Sequence, residues 1–334
     1  MNKPRLISAA QYNDTGRDRH KLVTAQKRGE LVRVRRGIYV QSAEWSKLSG
    51  RERYGLRVLA CARLAQSEPV FCHATAALLW GLWIVGVPQK LHTVTEVTRG
   101  GRSSSGVVRH VGSRTEGVQR CGPVLITDKL TTTMQLINSL SFSLAVTVCD
   151  SALRVPRRSV VANHFERPDA DPFQWDATWE LDEPQGAALL PEELRAAAAQ
   201  LPSKAGQTRA LKVINFASAL SGSAGESLSR VKMFELGFPA PVLQQRFSLD
   251  DGRGALVDFW FKEERAVGEF DGKGKYLRDD WSQGRSMTDR IMAEKRRENQ
   301  IRAQVSGFAR WDWQDLKDTQ RFTSILRQAG LRQK

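Results

Sequence analysis

The 334-residue chain predicts a mixed α/β (α+β) fold divided into several domains. Short alternating hydrophobic runs paired across turns mark β-hairpins, most clearly at 257–261 and 267–271 around the charged turn Lys262-Glu263-Glu264-Arg265. Apolar stripes at helical spacing, such as Tyr54, Val58, Cys61 and Leu64, mark amphipathic helices. A proline-punctuated stretch over 156–190 separates the two ends. It carries seven acids (166, 169, 171, 176, 180, 182, 183) against one base, Arg167, from Glu166 to Glu183.

Residues 1–50 form the first predicted domain. A short helix over 6–12 and a turn at Asp14-Thr15-Gly16 lead into a basic helix over 18–28, which Gly29 closes as a C-cap. Two strands follow, 31–34 and 37–40, around Arg35-Arg36-Gly37. Helix, basic helix and basic hairpin are the order of a winged helix, with the helix suited to a major groove and the hairpin to phosphates. This segment holds 11 Lys/Arg against 4 acids, so the charge is concentrated here. Arg17, Arg19, Lys21, Arg28, Arg33, Arg35 and Arg36 are the candidate DNA contacts. The phrase from Arg28 to Val40 (RGELVRVRRGIYV) resembles the N-terminal domain of AbiEi-type antitoxins of toxin–antitoxin systems. That resemblance implies DNA binding, autorepression and a nucleotidyltransferase-like toxin as partner.

Residues 51–155 read as an α/β scaffold domain. Helices are expected over 51–64, 71–82, 130–140 and 142–153, and strands over 91–97 and 107–111. The loop between those strands carries Arg99 and Arg102; it suits phosphate contact no better than it suits plain solvation. His73, at the start of the second helix, reads as a capping or core residue, because no second His or Cys lies at ligand spacing. The stretch 156–190 is a linker or an exposed insertion. The C-terminal domain is expected over 191–334, opening with helices at 192–201 and 208–220, the first with Pro191 at its N1 position.

Its chemistry centres on acids. Glu269 and Asp271 alternate onto one face of a strand, and Asp258 on the partner strand can reach that face. Three carboxylates on one patch repel each other and resist desolvation unless cations neutralise them. The usual neutraliser of an all-oxygen cluster is Mg²⁺ or a similar hard ion. Capping and solvation of exposed hairpin ends is the plainer alternative.

The flanks follow the order αβββαβ: a helix around Glu226, a strand over 242–247, the hairpin, a basic helix over 289–302 and a strand over 308–313. Asp258 with Glu269-Phe270-Asp271-Gly272, in that order, resembles the PD-(D/E)XK nuclease superfamily, and its very-short-patch-repair-like branch in particular. The resemblance implies a Mg²⁺- or Mn²⁺-dependent endonuclease. Asp258, Glu269 and Asp271 would be metal ligands, and Glu226 the acid on the first helix. Asp271 stands where the pattern has lysine, so the lysine must come from elsewhere: Lys275 first, with Lys273 and Lys295 in reserve. Lys295 and Arg297 are further candidates for phosphate. A nuclease fold that keeps its acids but does not cut is the rival, within an antitoxin-like autorepressor.

The net charge of +15 suits a polyanionic partner. Cys61, Cys72, Cys121 and Cys149 lack paired spacing and sit among apolar neighbours, which predicts buried free thiols in a reducing cytoplasm. No apolar run is long enough to span a bilayer, and no signal-peptide core opens the chain. A homodimer accords with both resemblances.

Overall fold

The computed structural model describes residues 4–10, 19–97, 106–156, 184–272 and 287–333, without the side chains of residues 19, 287 and 289–291. Arg17, Arg99, Arg102, the acidic stretch 166–183, Lys273, Lys275 and the side chain of Arg19 therefore lie outside the described residues. The chain divides into two compact units, Met1–Ser141 with Ser151–Phe216, and Phe142–Asp150 with Ala217–Lys334.

The first unit opens with β1 (Ile7–Ser8), α1 (Arg19–Lys27), β2 (Leu31–Arg35) and β3 (Ile38–Gln41). The strands form an antiparallel sheet in the order β1-β3-β2. Ile7 and Ser8, expected in a helix, are instead extended and pair with Tyr39 and Ile38. Gly29 and Gly37 hold the left-handed φ of +77° and +81° that end α1 and turn the hairpin. After α2 (Ser42–Lys47) comes α3 (Gly50–Leu64), started by a reciprocal box in which Ser49 and Glu52 bond each other's backbone N–H. Leu56 and Ala60 of α3 share a core with Leu6 and Ile38. The segments 1–50 and 51–155, expected to be separate domains, are joined by that core.

A five-stranded sheet follows, in the order β6-β5-β4-β8-β7. It is built from β4 (Val70–Phe71), β5 (Leu91–Thr95), β6 (Val107–Val111), β7 (Val118–Cys121) and β8 (Val124–Thr127), with α4 (His73–Leu79) between β4 and β5. β7 was not expected. It is an edge strand reading Val-Gln-Arg-Cys, too short and polar to announce itself by alternation. Asp128 caps α5 (Lys129–Ser139) by accepting the Thr131 N–H at 2.6 Å. α6 (Phe142–Leu153) follows at its expected limits. The helices α7 (Pro191–Ala199) and α8 (Lys204–Phe216), expected to open the C-terminal domain, pack on α5 and belong to the first unit.

The second unit contains α9 (Ala224–Glu235), β9 (Val242–Ser248), β10 (Gly254–Phe261), β11 (Ala266–Phe270), α10 (Met287–Arg302), β12 (Gly307–Trp311), α11 (Trp313–Lys317) and α12 (Thr319–Gln328). Its sheet runs β12-β11-β10-β9, antiparallel except for the parallel pair β11–β12 that α10 connects. β11 is buried along its whole length, as a central strand covered on both faces must be. One face packs Phe259, Phe261, Phe270 and Trp311 against Met233, Phe322 and Leu326; the other packs Ala255, Val257 and Val267 against Ile301. Burial of each large apolar side chain contributes about 1.5–3 kcal/mol.

Val257 and Phe259 thus serve opposite cores, although residues two apart on a regular strand share a face. The ladder turns over at Asp258, opposite Gln244, whose φ is +52°. Gly225 lets α9 approach β11, because a Cβ there would lie 1.9 Å from the Phe270 ring. Trp311 is buried and donates its Nε1–H to Ser229 Oγ at 2.8 Å. Trp313, expected on the same strand face, begins α11 instead: Asp312 caps the next turn and ends the strand. Asp150 on α6 accepts from Ser218 N, Ser221 Oγ, Ser227 Oγ and Arg230 within the second unit.

Candidate functional site

The sheet of the second unit brings the expected acids to the end of β11 and the middle of β10. Antiparallel pairing runs Phe261↔Ala266, Trp260↔Val267 and Phe259↔Gly268, so Asp258 and Glu269 come next in register. There the ladder stops. Asp258 Oδ2 accepts the Phe270 N–H at 2.9 Å, a bond that a strand carbonyl would otherwise supply. Asp271 continues the other edge of β11 through its own N–H, which donates to the Trp311 carbonyl at 2.8 Å.

Glu269 is 8% exposed, and both its oxygens hold guanidiniums. Arg297 donates to Oε1 at 3.0 Å and Arg310 to Oε2 at 2.7 Å. Arg310 arrives because β11 and β12 are parallel with Glu269 opposite Arg310. Arg297 arrives from α10 and also donates to the Leu256 carbonyl at 2.6 Å. Glu294 and Glu298 on the same helix extend the network. Glu294 accepts from Arg297 at 3.0 Å and lies 3.5 Å from Arg310; Glu298 lies 3.1 Å from Arg310 and 2.7 Å from Arg302. Three carboxylates thus meet three guanidiniums. Burial pulls the Arg297 guanidinium down, but Glu269 and Glu294 outweigh it and its pKa ends higher. Arg310 behaves alike: burial lowers it, and the bond and charge of Glu269 more than compensate.

Glu226 is 4% exposed at the start of α9. Its carboxylate accepts from Gly222 N at 2.5 Å, Ser223 Oγ at 3.0 Å and Gln244 Nε2 at 3.3 Å, while Ser223 caps its own N–H. That is the role of an acid in a helix first turn. Lys295 is exposed on α10.

Among the described residues, Asp258, Glu269 and Asp271 do not form a group whose oxygens all lie within 4.8 Å of one another. Both oxygens of Glu269 already face cations. Mg²⁺ is commonly held by one or two carboxylates with waters and substrate oxygens, so Asp258 and Glu269 would have to hold such an ion with Arg297 and Arg310 displaced from Glu269. In this arrangement Arg297 and Arg310 neutralise Glu269.

In the first unit, the basic residues lie on the outside of the helix–hairpin segment. His20, Lys21, Lys27 and Arg28 of α1 and its end are exposed, as are Arg33 and Arg36 of the hairpin, while Arg35 is half-buried. Leu22 and Tyr39 turn inward with Ala9. The apolar side of each element goes to the core and leaves the cationic side to solvent.

One cluster escaped the sequence. His73 has no second His or Cys at ligand spacing in the sequence, yet His92 and His110 lie beside it. Cys72, just after β4, sits across from His92, and its N–H donates to the His92 carbonyl. His110 comes from β6, parallel to β5. Cys72 Sγ is 3.3 Å from His73 Nδ1, His92 Nδ1 is 2.8 Å from His110 Nε2, and the His73 and His110 rings stack with centroids 3.6 Å apart. Burial, then His110 and His92, push His73 down to about 3; burial, His110 and Lys90 push His92 down to about 4; burial lowers His110. Burial raises the Cys72 thiol. All four cysteines are free and buried.

No family model matches the chain, and a search of curated proteins finds no match. Among the described residues, no helix is long and apolar enough to cross a membrane.

Proposed function

We propose that the protein is a DNA-binding protein of the repressor–antitoxin kind. Its N-terminal helix–hairpin segment would contact the duplex, and its C-terminal αβββαβ unit would serve as a non-cutting scaffold. The observation that carries this reading is the exposed cationic side of α1 and the hairpin, Lys21, Lys27, Arg28, Arg33 and Arg36, backed by apolar residues that fix their spacing. Exposed cations on a helix and an adjoining hairpin suit a phosphate backbone in sign. The Glu269 network supports the scaffold role, because an acid held by two guanidiniums stabilises the strand it sits on.

The test is DNA retention by the full chain at several salt concentrations. Each phosphate contact steepens the dependence of log K on log[salt] by about 0.9. Arg33→Ala with Arg36→Ala should lower the slope by about 2 and weaken binding to all sequences alike. A slope unchanged in the double variant would refute the assignment of the hairpin. Enrichment of one sequence from a random pool would identify an operator, and co-purification of a nucleotidyltransferase-like protein would support the antitoxin role.

A second reading, a Mg²⁺- or Mn²⁺-dependent endonuclease, is favoured by one observation. Asp258 and Glu269 come next in register where the β10–β11 ladder opens. It requires Glu269 to exchange guanidiniums for metal. Metal-dependent nicking of supercoiled plasmid that is lost in both Asp258→Ala and Glu269→Ala would establish it.

A further inference from the structure

Among the described residues, Cys72, His73 and His110 bring three potential metal-ligating atoms together. Cys72 Sγ and one ring nitrogen each of His73 and His110 all lie within 4.8 Å of one another. The chain has five histidines, and three of them, His73, His92 and His110, stand together. They come from three elements: the start of α4, β5 and β6. We propose that Cys72, His73 and His110 form a binding site for a zinc-class transition-metal ion, with His92 as a positioning residue behind His110.

The donor chemistry selects the ion. One thiolate and two imidazoles suit a borderline-soft divalent ion and disfavour Mg²⁺ or Ca²⁺. With Zn–S near 2.3 Å and Zn–N near 2.0–2.1 Å, a tetrahedral edge is about 3.5 Å. The Cys72–His73 pair, at 3.3 Å, already has that separation. The remaining pairs lie within 4.8 Å, so each would close by at most about 1.3 Å to reach that edge. Three protein ligands leave the fourth position of a tetrahedron to a water or a further ligand.

Two features hold the group in place. His92 Nδ1 pairs with His110 Nε2 at 2.8 Å. If His110 Nε2 carries the proton, it donates to His92 and leaves His110 Nδ1 to face the metal; such outer contacts fix the ring and its tautomer. His73 has a left-handed φ of 49°, and its N–H donates to Gln135 Oε1 at 2.9 Å. A non-glycine backbone held there occupies a sparsely populated region that the surrounding structure must fix. Binding would release one proton from the Cys72 thiol to solvent and form the metal–sulfur bond in its place.

The test is titration of the purified full chain with Co²⁺, whose thiolate complexes have a sulfur-to-metal charge-transfer band in the near ultraviolet. The expected result is one equivalent bound with that band, and its loss on addition of Zn²⁺. Cys72→Ala should abolish the band, His110→Asn should weaken binding, and His92→Asn should weaken it by about 10- to 100-fold. Cys61→Ala, at a buried thiol outside the cluster, should leave it unchanged. Absence of a charge-transfer band in the wild type, or a band that persists unchanged in Cys72→Ala, would overturn the proposal. His110→Asn, at a half-buried position, keeps the test decisive if Cys72→Ala does not fold.

Discussion

Replacement of Glu269 by Gln separates the two roles that this acid can have. If its work is to neutralise Arg297 and Arg310, the substitution must destabilise the second unit. The side chain of Glu269 is 10% exposed and those of its partners 24% and 29%, so the pairs are shielded without being dry. A hydrogen bond to a charged group contributes about 1.5–3 kcal/mol, and two are lost or weakened. Against that, Arg297 keeps Glu294, and Arg310 keeps Glu294 and Glu298. Neither guanidinium is stranded, so the cost falls below the 3–5 kcal/mol of a broken, fully buried pair. We expect about 2 kcal/mol. With a urea slope of roughly 2 kcal/mol per M for a unit of this size, the midpoint should fall by about 1 M. Hydrogen exchange of the β11 amides in urea assigns the change to this unit, because two units need not unfold together. A metal ligand held for catalysis is a site of mutual repulsion, and its removal tends to stabilise the fold. An unchanged or raised midpoint for Glu269→Gln would therefore refute the structural reading and return weight to the nuclease.

Further expectations follow from the same packing. Gly225→Ala forces a methyl group into the Phe270 ring and should cost about 1–3 kcal/mol; Phe270→Leu in the same chain should recover part of it in a double-mutant cycle of denaturation midpoints. Asp150→Ala leaves Arg230 without its buried carboxylate and should cost about 3–5 kcal/mol by chemical denaturation, against less for Asp150→Asn, which keeps the serine contacts. Burial lowers Lys129 from 10.5 to about 8, so below pH 8 both folded and unfolded chains carry its proton and the folded state bears the full penalty. Between pH 8 and 10.5 the unfolded chain binds more protons, so stability rises with pH. Relative to Lys129→Met, the wild type should gain about 2 kcal/mol between about pH 7 and pH 10, and a flat difference would show that Lys129 titrates normally.

The sequence determined what is local. Periodicity, Gly29 and Pro191 set helix type and limits, and the alternation at 257–261 and 267–271 set the central hairpin with its acids. Apolar neighbours around each cysteine were enough to place the four thiols in the core. These features are legible because one element's own residues decide which of its faces avoids water.

Tertiary structure decided who meets whom. Glu269 finds Arg310, 41 residues on, only through the parallel register of β11 and β12, and Arg297, 28 residues on, through the seat of α10. The hydrophobic pattern is the same whether those acids face a metal or a guanidinium. His73, His92 and His110 follow one another at intervals of 19 and 18 residues, and β5 and β6 are parallel, so no hairpin turn joins the last two. Their meeting depends on how β4, β5 and β6 pair. Charge neutralisation and ligand convergence are relations between elements, fixed by register and packing, and a linear chain carries them only through the fold it adopts.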